Sequence, residues 1–184
     1  GVAFPKPGYL PRTQSLELAV LRNAGHSVQV TLNGATLDAV HRRPALSRSD
    51  GQGYLDIWNG APLENGINNV HVVIRGLSGE VVHEERVEVG FNDQVRRLVY
   101  IREDSQPSTD GHRQPFIVLR ATDENNIPLH PGMLVGLSIS SPFAFAGETP
   151  QAPEPRRTMA TVDPDGLIRL HLAPPRLSGT AQIT

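Results

Sequence analysis

The chain contains no cysteine. Disulfides, thiol catalysis and cysteine-ligated zinc are therefore excluded by composition. Aromatic residues make up only 5% of its 184 residues, so a core must rest on Val, Leu, Ile and Ala. No apolar run approaches the ~20 residues of a membrane-spanning helix. No excess of either charge sign exists, since 17 basic residues face 19 acidic ones for a formal net charge of -2. Without a large positive field to displace counterions from phosphates, nucleic acid is not an expected partner. Lysine is nearly missing as well: Lys6 stands against sixteen arginines.

Glycine and proline are abundant instead, at 17 and 16 residues. That load suits short strands and turns. Period-2 alternation recurs along the chain. Leu16, Leu18 and Val20 alternate with Glu17 and Ala19, and Val28, Val30 and Leu32 alternate with Gln29 and Thr31. Asn33-Gly34 then signals a two-residue hairpin. Next comes either Leu55 and Ile57, or Tyr54, Asp56 and Trp58, as the apolar side of a strand that Asn59-Gly60 is expected to close. Val70, Val72 and Ile74 lead through Gly76–Gly79 into Val81–Val89. A second series holds Leu98–Ile101, Phe116–Thr122, Val135–Ile139 and Ile168–Leu172, and it ends within Gly179–Thr184. Nowhere do apolar residues keep a 3.6 period for three turns. Asp38–Arg48 comes nearest, and Pro44 interrupts it.

The expected architecture is all-β: two antiparallel Ig-like β-sandwich domains in tandem, residues 1–93 and 94–184. Gly1–Pro11, with Pro5, Pro7 and Pro11, reads as an extended N-terminal linker. The last strand reads as cut short, and the chain as a piece of a longer protein.

The second half resembles the invasin/intimin type of bacterial Ig-like domain. The elements that carry the resemblance occur in order. They are Thr109-Asp110-Gly111, the turn Asp123–Gly132 with Pro128, the strand Val135–Ile139, the hairpin Asp163–Gly166 with Ile168–Leu172, and Gly179-Thr-Ala-Gln-Ile-Thr184. Asn126 stands where that pattern has glycine, and Ser141–Arg157 is longer and richer in proline. The first half looks like another bacterial Ig-like type through Val28–Gly34, Leu63–Val72 and Gly76–Val81. The resemblance implies a non-catalytic structural or adhesive spacer or interaction module of a large bacterial cell-envelope protein, located outside the cytoplasm. Its partners would be neighbouring domains of the parent protein or another envelope protein. No cofactor and no membrane insertion by this segment are expected.

Candidate chemistry is sparse. His71, His83 and Glu85 would share a face if Gly76–Gly79 makes a hairpin, which is one route to a zinc site. Asp163-x-Asp165-Gly166 has the opening spacing of a calcium loop, and Glu103 and Asp104 sit near the domain junction. Arg42-Arg43-Arg48, Arg96-Arg97-Arg102 and Arg156-Arg157 form basic runs. No G-x-S-x-G elbow exists, and no activity is expected. The alternative to a spacer is a carbohydrate-binding or accessory domain of a surface enzyme. For it, Tyr54 and Trp58 share strand parity with Asp56 between them, an arrangement that would stack sugar rings on aromatic faces. A partner site is expected in the Pro-rich segment, where Phe143 and Phe145 would form an apolar patch rimmed by Arg156 and Arg157.

Overall fold

A computed structural model describes residues 1–107, 114–147, 155–174 and 179–184. The protein is all-β, and among the described residues every strand pairing is antiparallel. The one helical element among the described residues is a single 3-10 turn, Ala39–His41, capped by Asp38. No described helix is long and apolar enough to cross a membrane. The chain divides into two compact units, Gly1–Phe91 and Asn92–Thr184.

The first unit holds β1 (Val2–Phe4), β2 (Ser15–Asn23), β3 (Ser27–Leu32), β4 (Ala35–Thr36), β5 (Leu46–Ser47), β6 (Gly53–Pro62), β7 (Gly66–Arg75) and β8 (Val81–Phe91). They form two four-stranded sheets in the orders β1-β2-β6-β5 and β4-β3-β7-β8. Alternate residues of each strand point to one side. One sheet thereby contributes Leu16, Leu18, Val20 and Trp58 to a core that the other completes with Val30, Val70, Val72, Ile74 and Val89. Taking that apolar surface out of water, at about 25 cal/mol per Å², is the main stabilising term.

Asn33-Gly34 makes the expected two-residue turn, with Leu32 paired to Ala35. Both residues have positive φ, 51° and 84°, as a type I′ turn requires. Asn59-Gly60 does something else. Strand β6 runs through it to Pro62, and the register slips because Leu16 faces Ala61 while Glu17 faces Asn59. Gly60, at φ 85°, is the extra residue of a β-bulge, so its conformational freedom bends a strand instead of closing it. The N-terminal segment also differs from the expected linker. Val2–Phe4 pairs with β2, Pro5 and Pro11 are buried, and the Phe4 and Tyr9 rings meet edge to face at 4.5 Å.

The second unit holds β9 (Arg97–Tyr100), β10 (Phe116–Thr122), β11 (Leu134–Ile139), β12 (Arg156–Thr161) and β13 (Ile168–His171). One sheet has the order β13-β10-β9, and β11 pairs with β12. On its other edge β11 meets residues 182–184 through an Ile139–Ile183 bridge. Ile117, Leu119, Leu129, Leu137, Ile139, Ile168 and Leu170 make the core. Two aspartate turns frame it by the same device. Asp123 Oδ1 accepts from the N–H groups of Asn125 (2.9 Å) and Ile127 (2.8 Å). Asp163 Oδ1 does the same for Asp165 (2.9 Å) and Leu167 (2.9 Å). A short acidic side chain that satisfies the turn's own donors fixes such a loop locally. Strand β12 was not evident in the sequence, where Ser141–Arg157 reads as one irregular stretch. The segment resumes pairing at Arg156, opposite Ile139. The turn Thr109–Gly111 lies outside the described residues.

Candidate functional site

On β6 it is Asp56 and Trp58 that face the core, while Leu55 and Ile57 face outward. Asp56 lies opposite Val20 and Trp58 opposite Leu18, so a carboxylate sits within an otherwise apolar layer. It is fully buried at 0% exposure. An ionised group there must be compensated, because desolvation of a lone carboxylate costs several kcal/mol. Two arginines meet that demand. Arg22 continues the inward row of Leu16, Leu18 and Val20, and its Nε donates to Asp56 Oδ2 at 2.5 Å. Arg42 follows the 3-10 turn, and its Nη2 donates to Asp56 Oδ1 at 2.5 Å. Each guanidinium also lies over an aromatic ring, Arg22 at 4.6 Å from the Tyr54 centroid and Arg42 at 5.3 Å from the Trp58 centroid. Arg22 Nη1 further donates to the His26 carbonyl at 2.9 Å.

This geometry makes a structural latch. The segment after Asp38 is held along β6 by the Arg42–Trp58 bridge, by Arg43 N–H donating to Ile57, and by the Asp56 carboxylate. It also overturns the glycan platform of Tyr54, Asp56 and Trp58. Trp58 is 4% exposed, so no ring face is open for a sugar to stack on. Both Asp56 oxygens are taken by arginine. Tyr54, Asp56 and Trp58 do share one parity, but that parity faces inward. Arg22 was the overlooked member, and its signal was a charged residue continuing an apolar period-2 row.

The Phe143 and Phe145 patch is corrected likewise. Phe145 is 3% exposed within the second core. The backbone around it is tied down by Ala146 N–H to His171 and Ala173 N–H to Ala144, both 2.9 Å. Phe143 packs partly buried against the same core. Arg156 turns back to donate from Nη1 to the Phe143 carbonyl at 3.0 Å, whereas Arg157 is exposed on the outer row of β12. The two rings anchor the segment, and the arginines do not rim an outward patch. The remainder of that segment, residues 148–154, lies outside the described residues.

The zinc reading fails on register. His71 faces Arg86 across the β7–β8 ladder, and Ile74 faces His83. His71 and His83 therefore project from opposite faces of the sheet. Each pairs with its own glutamate instead: His71 with Glu84 at 2.8 Å, His83 with Glu85 at 3.0 Å. Glu85 also accepts from the Val2 N–H at 2.8 Å. That backbone donor, and then the His83 hydrogen bond, hold the Glu85 carboxyl below its ordinary value. At the calcium candidate, Asp163 places one oxygen on its own turn and the other on Arg169. Glu103 and Asp104 are exposed. Among the described residues no three metal-ligating side chains converge.

Asn68 is a further buried polar residue, at 0% exposure. Its Oδ1 accepts from the Glu64 N–H (2.8 Å) and from Asn33 Nδ2 (3.1 Å), and its Nδ2 donates to the Glu64 carbonyl (2.8 Å). The loop entering β7 and the β3–β4 turn are both built on this one amide.

No protein-family model and no curated protein sequence matches the chain. Among solved structures it aligns with the β-glucuronidase of Parabacteroides merdae, in one crystal structure without a stated ligand and in another with glycerol in the active site. The identity is 15% and the TM-score 0.30, over 86% of this chain and 18% of the glucuronidase. The chain thus spans less than a fifth of that enzyme's length, and the likeness is too slight to define an activity or a fold.

Proposed function

We propose that the chain is a non-catalytic structural and adhesive module: two Ig-like β-sandwich domains in tandem, acting as a spacer and interaction segment of a large bacterial cell-envelope protein outside the cytoplasm. One observation carries this reading. Phe91 is buried in the first core, and Asn92 already belongs to the second unit. There its Nδ2 donates to Ile127 and its carbonyl accepts from His130 N–H, each at 2.9 Å. Consecutive residues of the chain are thus fixed in the two units, a short linkage of the kind a serial array uses. The buried polar groups Asp56, Asn68 and Asp123 are each consumed in holding a loop or turn, which is the work expected of a scaffold. The resemblance of the second half to the invasin/intimin type supports the envelope setting.

Pulling single molecules from both termini tests the reading. Two separate unfolding events are expected, each releasing about 90 residues, roughly 30 nm of chain. A single cooperative rupture releasing the whole contour at once would refute it.

A further inference from the structure

Tension carried along the polypeptide enters the first unit at Gly1 and leaves it at Phe91, and the strand pairing fixes where those two points lie. Asn23 opposite Gly53, Ser27 opposite Arg75, and Arg75 opposite Val81 stand at one end of the two sheets. Ser15 opposite Pro62 and Gly66 opposite Phe91 stand at the other. β1 begins beside the first end, where the Leu21 N–H donates to the Gly1 carbonyl at 2.9 Å and Val2 faces Val20. β8 runs from the first end to the second. Entry and exit therefore lie at opposite ends, and β1 and β8 run in the same direction.

The hydrogen bonds of an antiparallel pair stand perpendicular to its strands. A pull along a strand loads all of them together, whereas a pull that parts the strands at one end loads them in turn. Drawn apart at Gly1 and Phe91, β1 slides along β2 and β8 slides along β7, so both ladders are loaded in shear. The two differ in length: β8 faces β7 from Gly66 to Arg75, while β1 has three residues. Glu85 reinforces the short one, because its Oε2 accepts from the Val2 N–H at 2.8 Å and ties β1 directly to β8. Beyond β1, residues 5–14 carry the chain to Ser15 at the far end. Once β1 comes away, tension enters at Ser15, the same end as Phe91. β2 is then parted from β6, and β8 from β7, pair by pair. We propose that β1 is a strap that sets the direction of load: seated, it holds the first unit in shear, and its release turns the same ladders over to peeling. The proposal rests on the reading of the chain as a spacer under load and names the element that governs its first domain.

Single-molecule pulling on the full 184-residue chain tests it. The chain has no cysteine, so introduced cysteines give unique handles. One protein carries Gly1→Cys with Val95→Cys, and the other Thr13→Cys with Val95→Cys; all three positions are exposed. Drawn from residue 13, beyond the strap, the first unit should rupture at a force lower by about twofold or more, since its bonds then break in turn. Glu85→Ala removes the tie to Val2. It should lower the rupture force from residue 1 and leave that from residue 13 unchanged. Equal forces from residues 1 and 13 overturn the proposal, and so does an effect of Glu85→Ala that is the same from both. If Glu85→Ala does not fold, the comparison of handles on the otherwise unaltered chain decides. Both handle pairs span the first unit alone, so the strap and the two-step unfolding of the whole chain fail separately.

Discussion

Strands β8 and β9 are both the outermost strands of their sheets, and they are finished in opposite ways. β8 is long and carries His83, Glu84, Glu85, Arg86 and Glu88 in succession. Glu85 reaches across to the Val2 N–H of the other sheet's edge strand. Charges along an edge discourage another chain from pairing there, and this one also closes the unit on itself. β9 is four residues long and exposes Val99 and Tyr100 at 41% and 44%. Arg97 at its start is its one charged residue. Both halves are built from antiparallel sheets, and their edges differ in where charge is placed. The first unit uses it to seal an edge and to latch a loop. The second places its acidic residues Asp123 and Asp163 in turns and leaves β9 nearly without charge.

The comparison is broken most directly at Asp56. Asp56→Ala removes the carboxylate from between Arg22 and Arg42 and leaves the mostly buried Arg22 without a counter-charge. Removing one partner of a buried pair costs about 4 kcal/mol. Calorimetry should show the first unit's transition lowered or lost and the second unit's transition in place. A parallel shift of both would mean that the units do not fold separately. The matching substitution in the second unit is Phe145→Ala, expected to cost about 3 kcal/mol by emptying a core position. Phe143→Ser, at a half-buried ring, should cost less. An unchanged second transition for Phe145→Ala would return that ring to the surface and revive the outward patch.

These two sites also show how far the sequence reaches. Most of the longer strands, the Asn33-Gly34 hairpin and the period-2 parity of Tyr54, Asp56 and Trp58 and of Phe143 and Phe145 are legible, because pleating imposes alternation whatever surrounds the strand. The side to which a parity points is another matter. It depends on what the facing sheet supplies, and Asp56 reads as a surface residue until Arg22 and Arg42 are seen to converge on it. Register is equally hidden. His71 and His83 seem neighbours across a hairpin, yet the Ile74–Arg75 irregularity and the Gly76–Gly79 turn place them on opposite faces. Asn59-Gly60 carries the same local signal as Asn33-Gly34. The long β2–β6 pairing overrides it and converts a turn dipeptide into a bulge.

A finer comparison uses two asparagines in left-handed conformation, Asn33 at φ 51° and Asn126 at φ 64°. Glycine adopts this region freely, so Asn→Gly relieves the backbone at both. The side chains distinguish them. Asn33 Oδ1 accepts from the Asn69 N–H at 2.8 Å and its Nδ2 donates to Asn68 at 3.1 Å. Asn126 has a 3.4 Å contact from Arg97, and its turn is held by Asp123 instead. Asn33→Gly should destabilise the first unit by about 1 kcal/mol, the worth of a net hydrogen bond. Asn126→Gly should leave the second unit within about 0.5 kcal/mol of its starting stability, as relief of the backbone offsets the freer unfolded chain. Urea titrations of the two variants check this, and equal losses would show that the Asn33 amide is not holding its turn.

The smallest effect is expected at Glu85, and it separates the units by pH. Its carboxyl titrates below the ordinary glutamate value of 4.5, first because the Val2 N–H donates to it and second because of His83. A folded-state value lower than the unfolded one means that the native chain binds the proton less readily than the unfolded chain. The associated stability is complete above the unfolded value and is lost as pH falls through the folded one. The group is partly exposed, so solvent screens much of the interaction, and the change is a slope rather than a collapse. Melting curves of the intact chain taken downward from neutral pH should show the first transition falling faster than that of a Glu85→Gln variant below about pH 4.5. The second transition should be identical in the two proteins. The glutamine keeps an acceptor for Val2 and removes the titration, so a variant that follows the unaltered chain throughout the acid range would mean that the edge tie does not depend on charge, and that β8 is closed by packing alone.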